Sequence, residues 1–167
     1  MVFRSKTLGA FLGIVMLVPV LGTAAPARAF DEPITPIPQQ HGQDPDKVAL
    51  GDRLFHDVRL SRDDSISCAH CHRLEQGGTD RLPRSIGVDG ALGGIKAPTV
   101  YNARFNLAQF WNGRAANLHE QAGGPVVNPI EMASTWKQVI SKLSQDKAYP
   151  EAFNALYEDG ITEQNIL

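Results

Sequence analysis

An all-α fold with long loops is what this chain of 167 residues predicts, and three observations carry the expectation. No stretch alternates apolar and polar residues in the manner of a half-buried strand. "STWKQVISKLSQ" (Ser134–Gln145) puts Trp136, Val139, Ile140 and Leu143 on one helical face at offsets of three, four and seven. Gly and Pro crowd "DRLPRSIGVDGALGGIKAP" (Asp80–Pro98) too densely for long regular structure. A hydrophobic content of 43% and a mean hydropathy of -0.20 fit one modest globular domain and exclude disorder throughout.

The elements follow in order. Arg4 and Lys6 form a basic n-region, Leu8–Gly22 is an apolar run, and Ala27-Arg28-Ala29 offers the small residues a signal peptidase reads. Residues 1–29 are therefore expected to be a signal peptide cleaved after Ala29. A retained anchor is the alternative, but Gly13 and Pro19 interrupt the run, which falls short of the roughly 20 apolar residues of a spanning helix. Residues 30–45 carry four prolines and read as an extended segment strapped over a surface. The domain proper is expected to occupy 46–167. Asp46 is the expected cap of a helix through about His56, with Val48, Leu50, Leu54 and Phe55 as its apolar contacts. Ser134 is the expected cap of the helix to Gln145, and Pro150 opens another that runs to Tyr157 before Gly160 stops it. Thr162 caps a last helix that breaks off at Leu167, which predicts that longer relatives continue there.

"SISCAHCHRL" (Ser65–Leu74) holds both cysteines of the chain. In an exported protein the first reading is a disulfide, but a bridge across two residues closes too small a loop to constrain the chain much. Zinc is the second, but adjacent Cys71 and His72 suit one tetrahedral ion poorly and no second ligand pair follows. Cys-x-x-Cys-His reads instead as covalent attachment of one haem c, with Cys68 and Cys71 adding to its vinyl groups and His72 binding the iron. The thiols then face one edge of the porphyrin from a turn of helix, and the large cofactor supplies core to a loop-rich, cytochrome c-like domain. His70, inside the motif, is expected to point to solvent.

Removing residues 1–29 takes away Arg4, Lys6 and Arg28 and no acids, so the formal charge moves from -2 to -5. A mildly acidic chain without a basic patch excludes nucleic-acid binding and suits a cationic redox partner in the periplasm.

The residues from Leu50 to Leu167 resemble the N-terminal haem domain of bacterial dihaem cytochrome c peroxidases, the group that includes MauG. The matching text is "LGDRLFHDVRLSRDDSISCAHCH", "GGTD", "SIGVDG", "APTVYNARFNLAQFWNGRAANLHEQAGGPVVNPIEM" and "PEAFNALYEDGITEQNI". The resemblance implies a peroxide-reacting haem with His72 as proximal ligand. It implies Glu131 of "NPIEM" as acid–base catalyst and Gln121 of "EQAGGP" as the residue orienting the bound ligand. Trp111 of "QFWNGR" becomes the candidate electron relay, and Arg114 the partner of a haem propionate or of a structural ion pair.

Two positions depart from the pattern. Where many relatives carry a histidine that binds the distal side of this haem, Val88 stands here, and valine cannot ligate iron. Unless His41, His56, His119 or Met132 reaches across, peroxide binds without a prior reductive switch. Lys96 replaces the asparagine that helps hold calcium in relatives, so calcium is in doubt. The leading expectation is a periplasmic haem c peroxidase domain that reduces hydrogen peroxide with electrons from a small cytochrome c or copper protein, with or without a second haem domain in trans. The competing expectations are a mono-haem electron carrier and a truncated remnant of a longer peroxidase; MauG-like protein oxidation ranks below peroxidase activity.

Overall fold

The computed structural model describes residues 36–38 and 42–167. The expected signal peptide, most of the proline-rich segment and His41 lie outside the described residues. Residues 42–167 form a helical unit with long loops, and its only β pairing among the described residues is two isolated bridges, Ile86 with Leu92 and Gln109 with Ala115. The all-α expectation holds.

Helix α1 spans Pro45–Phe55 and is capped by Asp44, whose Oδ1 accepts from the amides of Asp46 and Lys47 at 2.9 and 3.4 Å. The cap lies two residues before the expected Asp46 because Pro45, with no N–H to lose, takes the first helical position. Leu50 and Leu54 are buried as expected, whereas Val48 is 56% exposed on the opposite face. Helix α2 is the single turn Cys68–Cys71, and α3 spans Leu118–Val127 with Asn117 as its cap. Between them runs the Gly- and Pro-rich stretch, irregular as its composition predicts.

Helices α4 (Trp136–Ser144) and α5 (Ala148–Leu156) pack on each other, α5 also meets α1, and α4 meets the short turn Val58–Leu60. Thr135 rather than Ser134 caps α4, its Oγ1 accepting from the Gln138 amide at 3.2 Å. Ser134 is buried instead, and its amide donates to Val126 O at 2.8 Å, which ties it to the end of α3. On α4, Val139 and Leu143 are fully buried and Trp136 packs at their edge. Phe153 of α5 is fully buried against them, so the α1/α4/α5 junction holds the core. The last helix, α6 (Glu163–Ile166), is capped by Thr162 as expected.

Beside Phe153, Tyr149 is 2% exposed and donates its hydroxyl to Asp57 Oδ2 at 2.6 Å. Arg59 pairs with the same carboxylate and with Asp146, which fastens the segment after α1 to the start of α5. Burial opposes ionisation of Asp57, yet the hydrogen bonds from Arg59 and Tyr149 outweigh it and hold the carboxyl below its ordinary 3.8.

Candidate functional site

The two cysteines sit one helical turn apart on α2, both half-buried and neither in a disulfide. Burial pushes the Cys68 thiol up to about 11. It raises Cys71 as well, partly opposed by the Ser85 hydroxyl beside it. Thiols kept protonated are poor thiolate nucleophiles for disulfide exchange, which argues against a thioredoxin-type use of the Cys-x-x-Cys pair. Among the described residues no group of three or more His, Cys, Asp and Glu stands where it would hold a metal ion by itself.

His72 closes α2, its amide donating to Cys68 O at 3.0 Å. Its Nδ1 lies 3.1 Å from Pro98 O and 3.2 Å from Gly78 O. Carbonyls only accept, so Nδ1 carries a proton, and Nε2 is the ring nitrogen that the two carbonyls do not engage. A ring oriented in this way by backbone carbonyls has the ordinary arrangement of a metal-ligating histidine. His70 does not point to solvent as expected. It is half-buried, with Nε2 3.1 Å from Ile86 O.

Glu131 lies in the turn that follows α3. Its Oε1 accepts from Asn128 Nδ2 at 2.7 Å, and its amide donates to Asn128 O at 3.0 Å. Asn128, Arg114, Phe110, Gly124, Glu120 and Glu131 line a cavity of about 260 Å³. The Arg114 guanidinium stacks 3.3 Å from the centroid of Phe110 and donates to Asn112 Oδ1 at 3.1 Å. No carboxylate among the described residues pairs with it, so the structural ion pair that competed for Arg114 is not formed.

Gln121 is half-buried on the α3 face that carries Gly124, Pro125 and Asn128, but its side chain does not line the cavity. Pro125, four residues on, has no N–H to give the Gln121 carbonyl. Trp111 is 55% exposed and is therefore not core. Its Nε1 donates to Lys96 O at 2.9 Å, and the Lys96 ammonium stands 5.5 Å from the ring centroid. The structure thus brings Glu131 and Arg114 together, Cys68, Cys71 and His72 together, and Trp111 onto Lys96.

Val88 itself is 2% exposed, and Met132 is 4% exposed in the same core cluster. The exposed His56 bonds back to Asp52, its Nδ1 2.9 Å from the carbonyl oxygen. His119 is half-buried on α3, and neither it nor Met132 lines the cavity. Sequence reasoning missed Asn128 and Pro98; the Asn-Pro pair at 128 and 129 is a turn signal that points to the first of them.

The sequence model of the family described as di-haem cytochrome c peroxidase matches residues 45–167. The chain is 55% identical over 137 residues to cytochrome c peroxidase Ccp of Escherichia coli (strain K12), covering 81% of this chain and 30% of that protein. It is 44% identical over 144 residues to the cytochrome c551 peroxidase of Nitrosomonas europaea, covering 86% of this chain and 43% of that one. Among solved structures, a MauG-like protein associated with microbial copper homeostasis superimposes with a TM-score of 0.68 at 29% identity, over 84% of this chain and 44% of that one. The chain thus spans less than half the length of these relatives.

Proposed function

The chain belongs to the di-haem cytochrome c peroxidase family, and on that premise we propose that it is a peroxide-reducing haem domain with Glu131 as its acid–base group. The observation that carries this reading is the Glu131 carboxylate, held at one oxygen by Asn128 in a cavity it shares with the Arg114 cation. The residues present fit haem c. Two unbridged thiols stand a turn apart, and the next side chain is a histidine whose Nδ1 is turned to two backbone carbonyls, which leaves Nε2 as the nitrogen available to iron. Cys68 and Cys71 would hold the porphyrin and His72 its iron, and the haem when bound supplies the electron-accepting and electron-donating centre for peroxide.

In that site Glu131 would take a proton from one oxygen of peroxide and return it to the other, which leaves as water when the O–O bond breaks; the two electrons and two further protons that take the remaining oxygen to a second water would come from the redox donor, by way of the haem, and from solvent. Asn128 occupies Oε1, which reserves Oε2 for the proton. The Arg114 cation favours negative charge developing in the cavity and is also the candidate partner of a propionate. Gln121 orients the peroxide after a side-chain rotation from its observed position beside the cavity. Trp111, exposed and tied to Lys96, is the surface from which an electron enters. Calcium is assigned no part, since the Lys96 ammonium cannot ligate a cation.

The electron source is a small cytochrome c or copper protein, directly or through a second haem domain, and the compartment is the periplasm. The acidic balance of residues 30–167 suits a cationic donor, and no helix among the described residues is long and apolar enough to cross a membrane. The test is the absorption spectrum of the ferric, haem-loaded protein before and after one equivalent of hydrogen peroxide, with Glu131→Gln in parallel. A rapid spectral change in the parent that slows by about 100-fold or more in Glu131→Gln is the expected result. A low-spin spectrum indifferent to peroxide in both proteins would overturn the peroxidase reading in favour of an electron carrier or an inert fragment.

A further inference from the structure

The loop Ser85–Val88 carries no group assigned to the chemistry, yet it touches both halves of the site. At one end the buried Ser85 hydroxyl, without a nitrogen or oxygen partner, lies beside the Cys71 thiol. The next residue accepts at its carbonyl from His70 Nε2, 3.1 Å away on the same helix turn that carries the cysteines. At the other end the Val88 amide donates to Glu131 O at 2.8 Å. Between them Gly87 lies flat on the Glu131 turn: a β-carbon there would stand 2.2 Å from Ile130 O and 2.8 Å from Glu131 O. Both obstacles are backbone atoms, which cannot swing aside as a side chain does.

The loop is closed on itself as well. The Gly87 amide donates to Ala91 O at 2.7 Å, and that of Gly93 to Ser85 O at 2.8 Å. Asp89 pairs with Arg62, whose amide donates to Met132 O at 2.8 Å, next to Glu131. Val88 is 2% exposed in the core cluster, so its side chain fastens the segment from the third direction.

We propose that Ser85–Val88 is a fixed strut between the haem-attachment helix and the Glu131 turn, and that Gly87 is the positioning residue that sets where the Glu131 carboxylate stands. The inference rests on the reading of Glu131 as acid–base group. Proton transfer requires hydrogen-bond reach, and a displacement of about 1 Å costs roughly 100-fold in rate. Relieving a 2.2 Å approach to an ordinary carbon–oxygen contact of roughly 3.3 Å moves the turn by about that much.

The experiment measures the rate of the peroxide-driven spectral change in ferric, haem-loaded Gly87→Ala, across pH, in the parent and in the Glu131→Gln background. Gly94→Ala is the control, since a β-carbon there meets nothing within 4 Å. The expected result is a loss of roughly 30- to 100-fold for Gly87→Ala in the parent, none beyond that of Glu131→Gln in the double variant, and none for Gly94→Ala. A parent-like rate in Gly87→Ala, or losses that multiply in the double variant, overturns the strut while leaving Glu131 in its role. A parent-like rate in Glu131→Gln overturns that role first, and the strut with it. If Gly87→Ala does not fold, amide hydrogen exchange on the haem-loaded parent decides: Val88 protected to within about tenfold of Val139 in the core supports a fixed strut, and exchange as fast as Gly94 overturns it.

Discussion

Replacing Tyr149 with phenylalanine removes one hydrogen bond and little else. The ring is 2% exposed, packs 6.4 Å from the centroid of Phe153, and lies under the guanidinium groups of Arg53 and Arg59 at 4.5 and 5.0 Å; phenylalanine keeps all of this. The lost hydroxyl donates to Asp57 Oδ2 at 2.6 Å. A hydrogen bond to an ionised group contributes about 1.5–3 kcal/mol. Asp57 retains Arg59, with Nη2 at 2.6 Å and Nε at 2.9 Å, so its charge is not orphaned and the cost should fall at the lower end, about 1.5 kcal/mol. For a domain of this size that lowers the melting temperature by roughly 5–8 °C.

The same variant has a signed dependence on pH. Burial works against the Asp57 carboxylate, but hydrogen bonds from Arg59 and Tyr149 hold its folded pKa below 3.8. A depressed carboxyl contributes stability that is complete above the ordinary carboxyl range and is lost as pH falls through the folded value. Tyr149 supplies part of the depression, so the penalty of Tyr149→Phe should be full at neutral pH and shrink below about pH 4. Urea unfolding of the haem-loaded parent and variant, at about pH 7 and about pH 3, measures both quantities. A neutral-pH penalty under about 0.5 kcal/mol, or an equal penalty at both values, would refute the reasoning.

Phe153→Ala, at a fully buried position, should destabilise by about 3–5 kcal/mol in the same unfolding assay, with the depth of the cavity setting the value. Asn128→Leu removes the donor at Glu131 Oε1 and should slow the peroxide-driven spectral change by about tenfold; a parent-like rate would show that the carboxylate is aimed without Asn128. Cys68→Ser and Cys71→Ser should each leave one thioether, and the double variant should release its haem into acidic organic solvent; retention in the double variant would disprove attachment through this pair. Thr135→Ala should cost about 1 kcal/mol by removing the cap of α4, whereas Ser134→Ala, if Ser134 were the cap as its sequence position suggests, would carry that loss instead.

What the sequence determined by itself was local. The Cys-x-x-Cys-His spacing could be read as a haem-attachment motif without the fold, because that chemistry would use neighbouring residues of one turn. The 3.6-residue rhythm of α4 declares its buried face for the same reason. Capping was legible to within a residue or two: at α1 a proline moved the cap, and at α4 a tertiary bond from Ser134 to Val126 O handed it to Thr135.

Only the tertiary structure decided how separated segments meet. His70 reads as a spare histidine until the chain returns 16 residues later and offers it a carbonyl. Val88 reads along the chain only as the loss of a ligand, and the fold adds that it is buried with its amide on Glu131. Gly87 is one of 15 glycines, and nothing in its neighbours along the chain says that a backbone 43 residues away lies where its β-carbon would be. Steric exclusion between distant segments is a property of packing, so composition and periodicity carry no trace of it.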